Sequence, residues 1–261
     1  VDDLIARVEA ASQTGGTVVF SAGGMSFDDP GLAAAAGPFL TGRTIFVARE
    51  GEPLRLSRLS VIGQGYAAGG NLTVGPVVDG LPLAGIVEAD VRDLTRLSVL
   101  AGRPLGGAAG LSVEGTYAPL SGLADLAARI EGRDLRTGIP EADRALAGGS
   151  TIAVSLRRDA AGTAGRSLDV STQVLKAQAS GTISGEASDL GGSVTLSDLS
   201  VVRAGAGGDV AAEFRLTGPE RDLTLRLDGT AQSLAIGEPL IDRLLRGQTK
   251  IATTVSLADG V

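Results

Sequence analysis

The chain has 261 residues, and its 39 glycines beside only two Tyr and five Phe, with no Trp, Cys or His, describe many turns and small aliphatic side chains. The absence of Cys and His removes disulfides, thiolate chemistry, cysteine metal sites and the commonest general base. A formal net charge of -7, with Lys only at Lys176 and Lys250 and the arginines scattered among acids, speaks against nucleic acid as a partner.

The first twelve residues, VDDLIARVEAAS, place Leu4, Ile5, Val8 and Ala11 on one helical face, with Asp2 and Asp3 at the favourable end of the dipole; this predicts an amphipathic helix followed, within residues 1–23, by a first strand. In DDPGLAAAAG, Asp29 is placed as a cap, Pro30 in the first turn and Gly37 at the end of a short helix. Gly63, Gly65 and Gly69 of VIGQGYAAGG imitate a dinucleotide-binding loop, but a second strand pattern follows where a helix is required, so the stretch reads as a β-turn. Asn71-Leu72-Thr73 fits a glycosylation sequon within a strand pattern and carries no weight.

IVEADVRD alternates, with Val87, Ala89 and Val91 on one side. RDLTRLSVLAG then spaces Leu94, Leu97 and Leu100 at helical intervals. Alternation returns in DLAARIEG with Leu126, Ala128 and Ile130, in TIAVSLRR with Ile152, Val154 and Leu156, in RSLDVSTQV with Leu168, Val170 and Val174, and in DLTLRLDG with Leu223, Leu225 and Leu227. AGAGGDVAA, around Gly207, Gly208 and Asp209, suggests a single hairpin loop and not the tandem turns of a calcium solenoid. One apolar and one wet face per strand is the signature of an antiparallel sheet. The fold class expected is therefore all-β dominated, with short interrupting α-helices.

Two of those helices, IPEADRALAG and EPLIDRLLRG, belong to a repeat. A shift of 99 residues matches Leu234 to Leu135, Gly237 to Gly138, Pro239 to Pro140, Asp242 to Asp143, Arg243 to Arg144, Leu245 to Leu146, Gly247 to Gly148 and Ile251 to Ile152. A looser copy runs from Pro30 through Thr44 and Ile45. The repeating unit is roughly a hundred residues of strands plus one short helix. After residues 1–23 the expected organisation is a repetitive region 24–261, in units 24–133, 134–232 and a truncated 233–261. The helix opened by Pro239 and closed by Gly247 then serves as a plug or corner piece, covering apolar surface that one sheet cannot bury by itself.

Catalysis finds no support: there is no His base, no Cys nucleophile, no Gly-Lys-Ser/Thr phosphate loop and no G-x-S-x-G elbow. No stretch reaches the roughly 18 apolar residues of a membrane span, the closest being GLAAAAGPFL, and no signal peptide is present, so the chain reads as an internal piece of something longer. In a closed sandwich the aliphatic strand faces are simply core; in a sheet that curls without closing they form a long apolar trough, which implies an apolar ligand. The alternation fits both.

EGEPLRLSRLSVIGQG, LSVLAGRPLGGAAGLSVEGTYAPLSG and LTLRLDGTAQSLAIGEPLIDRLLRGQTKIATTVSLADG resemble, in repeat cadence and in the Pro-helix-Gly-Thr-strand unit, the repetitive periplasmic region of the TamB family of envelope proteins related to AsmA. The resemblance implies a β-taco, an elongated antiparallel sheet folded lengthwise over an apolar groove. It further implies an inner-membrane tether outside this segment, a periplasmic location, transport of phospholipid towards the outer membrane, and a partner barrel protein of the TamA/BamA type. Under it, acyl chains would lie along Val87, Val91, Leu111, Val113, Leu126, Ile130, Ile152, Val154, Leu156, Leu223, Leu225, Leu227 and Ile251, with no cofactor, no metal and no catalytic residue. Two other functions remain open: a scaffold that offers a strand edge to outer-membrane or secreted β-proteins, and a closed, adhesin-like solenoid.

Overall fold

Alternating apolar and polar side chains between Gly-rich turns leave each strand one face to bury and two edges to pair, and the chain satisfies the edges by pairing every strand with its sequence neighbours. The computed structural model describes residues 3–12, 14–160, 162–184, 187–219, 222–245 and 247–258. The chain divides into two compact units, Val1–Gly138 and Ile139–Val261.

In the first unit β1 (Asp3–Ser12), β2 (Gly15–Gly23), β3 (Phe39–Val47), β4 (Leu54–Gly63), β5 (Tyr66–Val74), β6 (Leu83–Val91), β7 (Gly106–Ala118) and β8 (Leu123–Arg136) form an antiparallel meander in chain order. Helix α1 (Pro30–Ala36) precedes β3, and 3-10 turns occupy Val77–Asp79 and Leu94–Leu97. In the second unit β9 (Gly149–Asp159), β10 (Gly162–Ser171), β11 (Leu175–Ile183), β12 (Ser188–Leu196), β13 (Gly207–Gly218), β14 (Asp222–Ala235) and β15 (Gln248–Ala258) repeat the meander. There α2 (Pro140–Ala145) precedes β9, a 3-10 turn spans Leu199–Val201, and α3 (Pro239–Leu244) separates β14 from β15. Strand order is linear in each unit, so neither sheet closes on itself.

The predicted helix over the first twelve residues is a correction: residues 3–12 are strand β1, paired with β2 from Asp3 opposite Gly23 to Ser12 opposite Gly15. Leu4, Ala6, Val8 and Ala10 also recur at period two. With a partner strand at hand, a ladder of backbone hydrogen bonds outweighs the modest helical preference of so short a segment.

The helix over Leu94, Leu97 and Leu100 is also shorter than expected, a single 3-10 turn over Leu94–Leu97. Asp93 caps it by accepting from the Thr95 amide at 2.9 Å, and the Ser98 hydroxyl, accepting from the Leu105 amide at 3.0 Å, draws the chain away from helical geometry. α1 forms as expected, with Asp29 accepting from the Leu32 amide at 2.8 Å and Gly37 ending it at φ 75°. α3 ends at Leu244, short of Gly247, which forms the turn into β15 at φ 95°. Gly207 to Asp209 lie not in a hairpin loop but at the start of β13, where the ladder to β14 is bulged. The Gly63–Tyr66 stretch is a tight hairpin between β4 and β5, as expected.

The repeat is more thorough in structure than in sequence. β8 and β14 each have 14 residues and begin 99 positions apart, as do α2 and α3. Register shifts recur at equivalent ladders: β3/β4 and β9/β10, β4/β5 and β10/β11, β7/β8 and β13/β14. Each bulge bends its strand and adds twist at the same place in both units. In the first unit the paired Gly85 and Gly115, at φ 148° and 139°, occupy a conformation that side chains rarely adopt.

Each sheet is open along its strand order. Within each unit the strands' closest backbone neighbours are their ladder partners, and the short helices and 3-10 turns add contacts at the strand ends. The buried apolar side chains are few and mostly small, Ala22, Ala118, Leu135, Ala145, Leu196, Ala212 and Ala231, and no large described side chain is fully buried. The accessible surface is 16022 Å². Two separate compact bodies sharing the 26.1 kDa would together expose about 12,700 Å².

Candidate apolar sheet face

Directly opposite residues in an antiparallel ladder project to the same face, so the register identifies which side chains line it. In the first unit Phe20, Gly42, Val61, Ala68, Ala89, Leu111 and Ile130 stand opposite one another in turn, a row that crosses β2 to β8. A parallel row joins Gly70, Val87, Val113 and Ala128, a third joins Leu72, Gly85, Gly115 and Leu126, and Val91 lies between Tyr66 and Ala109. All six residues singled out from this part of the sequence therefore share one face.

The second unit behaves alike. Val154, Leu168, Ala179, Gly192, Phe214, Leu227 and Thr253 form one row across β9 to β15. Ile152, Val170, Ala177, Val194, Ala212, Gly229 and Ile251 form a second, and Leu156, Gly165, Gly181, Leu190, Leu216, Leu225 and Val255 a third. Leu223, two residues from Leu225, extends the same face. None of these rows contains a charged residue.

Each of the thirteen singled-out residues is half-buried; none is buried and none fully exposed. Leu168 and Val255, on the same rows, are 38% and 42% exposed. The sequence reading left out Phe20, Val61, Leu190, Val194, Phe214 and Leu216. Several of these stand beside Gly or Ala in strands such as DLGGSVTL, whose small residues blur the apolar alternation.

The opposite face carries the charge. Asp169, Gln178, Ser193, Glu213 and Asp228 stand in one row of the second unit, and Gln178 donates to Asp169 at 2.8 Å. Arg215 donates to both oxygens of Asp189, at 2.9 and 2.7 Å, which holds the Asp189 carboxyl below the usual carboxylate range. Arg226 donates to Asp228 at 2.7 Å. A cleft of about 1020 Å³ opens on this polar side, lined by Arg166, Asp169, Gln178, Asp189, Arg215 and Asp228 among others. Its ionic groups are largely satisfied by one another, so it offers little to an apolar ligand. Among the described residues no group of three His, Cys, Asp or Glu is placed to hold a metal, and no helix is long and apolar enough to cross a membrane.

At one end of the strands the short helices meet the 3-10 turns. In the first unit the Arg96 guanidinium lies 5.0 Å from the Tyr66 ring centroid and donates to the Ala34 carbonyl at 3.3 Å, while the Tyr66 hydroxyl donates to the Ala36 carbonyl at 3.1 Å. In the second, Arg144 donates to the carbonyls of Val201 and Val202 at 2.6 and 3.1 Å. An arginine ties helix to turn in both units, supplied by the turn in one and by the helix in the other. No protein-family model matches the chain, and neither a curated protein nor a solved structure matches it significantly.

Proposed function

We propose that the apolar sheet faces bind the acyl chains of phospholipid and that the chain is a segment of a lipid conduit, not an enzyme. The observation that carries this reading is the continuity of the faces: rows without a charged residue run across β2 to β8 and β9 to β15, and the thirteen aliphatic residues singled out on them are half-buried. Burying each methylene against such a surface contributes about 0.8 kcal/mol. The rows present mostly aliphatic side chains and glycines without a charged group, so affinity changes little from one strand to the next. A ligand held by area alone can slide.

The cadence of repeats that resembles the TamB family supports assigning this conduit to the periplasm, tethered at the inner membrane through a region outside this segment and delivering to a barrel protein of the TamA/BamA type. The β-taco, a lengthwise curl that shelters the acyl chains, belongs to the same proposal. The bulges recurring at equivalent ladders are the feature that supports such curvature.

Extraction and mass spectrometry of lipid from the purified chain test the reading, beside a Val154→Asp, Leu225→Asp double variant whose fold is checked by circular dichroism. Phospholipid on the parent and none on the folded variant is the expected result. A parent that carries no lipid and takes up none from phospholipid vesicles overturns it.

A further inference from the structure

α3 differs from the other two helices in what covers it. α1 packs against the 3-10 turn Leu94–Leu97, and α2 against the 3-10 turn Leu199–Val201. Each turn is capped by an aspartate, Asp93 or Asp198, and follows the fourth strand after its helix. α3 has no such partner among the described residues: Leu240, Ile241 and Leu244 are 79%, 44% and 85% exposed. At the equivalent positions of α2 stand Glu141, Ala142 and Ala145, the last of them buried. Arg243 is the counterpart of Arg144, and it makes no hydrogen bond among the described residues, whereas Arg144 is spent on the Val201 and Val202 carbonyls.

We infer that α3 is a docking helix for one further Asp-capped 3-10 turn of this same type, belonging to a succeeding repeat, with Arg243 binding the two backbone carbonyls and the Leu240, Ile241 and Leu244 side chains covering the turn's aliphatic residues. Both repeats supply the precedent for the occupant, and α2 with Arg144 supplies it for the arginine. A second copy of the chain fits less well, because the carbonyls that the turn Leu199–Val201 would offer are already taken by Arg144 of its own chain.

The test lengthens the full chain by repeating residues 160–218 in place of 259–261, which continues β15 in the phase that β9 has in its own repeat. Hydrogen exchange is read at the α3 amides of Asp242 and Leu245, which bond to the Glu238 and Ile241 carbonyls. These amides are expected to slow by about tenfold or more in the lengthened chain, and to lose that protection on Arg243→Ala. Protected new strands beside an unchanged α3, or an Arg243→Ala variant that keeps the protection, overturns the inference. So does an α3 whose protection in the unlengthened chain rises with protein concentration, which would identify a second copy as the occupant.

If the added strands do not form, a graft inside the original chain decides. Glu141→Leu, Ala142→Ile and Ala145→Leu give α2 the face of α3 while Arg144 stays. Retained protection of the Val202 and Arg203 amides, which bond to the Leu199 carbonyl, supports the inference. Loss of that protection, local or with the rest of the unit, shows that this face does not accept such a turn and overturns it.

Discussion

The ring of Phe214 lies over Gly192, the residue directly opposite it on β12, so closely that a Cβ on Gly192 would stand 2.7 Å from the ring. Phe20 covers Gly42 in the same way across β2 and β3 of the first unit. An aromatic side chain laid flat over a cross-strand glycine fills the gap left by the missing side chain and keeps the face low. Few aromatics on so large an apolar surface are thus placed where they level it.

Gly192→Ala is expected to destabilise the second unit by about 1–3 kcal/mol, because the new methyl meets both the Phe214 ring and the Gln178 carbonyl. Gly191→Ala, one residue earlier, has only the Phe214 carbonyl near its Cβ, at 3.8 Å, and is expected to be much milder. Urea midpoints of the two variants check the contrast.

Truncations separate covered from uncovered apolar positions. Leu135, 8% exposed, is expected to cost about 2–5 kcal/mol on replacement by Ala. Ile130, half-buried in the open row, is expected to cost only about 1 kcal/mol, since much of its side chain already meets water. Equal costs would mean that something covers the row.

The Tyr66 hydroxyl donates to the Ala36 carbonyl at the end of α1, a contact between residues 30 positions apart. Tyr66→Phe is expected to lose about 0.5–1.5 kcal/mol, seen by chemical denaturation and by faster exchange of the Gly37 amide, which bonds to the Ala33 carbonyl.

Much of this was legible in the sequence where side chains alternate cleanly. Leu223, Leu225 and Leu227 announce β14 and its apolar face, and the Pro140 and Pro239 helices announce the repeat. Residues 3–12 misled because their apolar residues satisfy a helical and a strand period together, and only the presence of β2 decides between them. The 3-10 turn Leu199–Val201 escaped notice because one turn has no period to detect, although Asp198 before it, accepting from the Ser200 amide at 2.9 Å, is a capping signal. The recurrence of the bulges was hidden, since a register shift belongs to a pair of strands and not to either sequence.

The last prediction concerns pH. Arg215 holds Asp189 as a carboxylate to a lower pH than its ordinary value of 3.8, chiefly through the side-chain hydrogen bond. A depressed carboxyl stabilises the fold above its unfolded-state value, and that contribution is lost as pH falls through the folded value. Asp189→Asn is therefore expected to lower the urea midpoint near about pH 7, and the difference is expected to shrink as the pH falls through the lowered folded-state value and the parent carboxyl takes up its proton. Both side chains are exposed, at 65% for Arg215 and 54% for Asp189, so the effect is small and screened by salt. Repeating the comparison in roughly 1 M salt, where screening acts within about 3 Å, is expected to narrow the difference. A difference that survives both acid and salt would assign Asp189 a packing role across β12 and β13 in place of an electrostatic one.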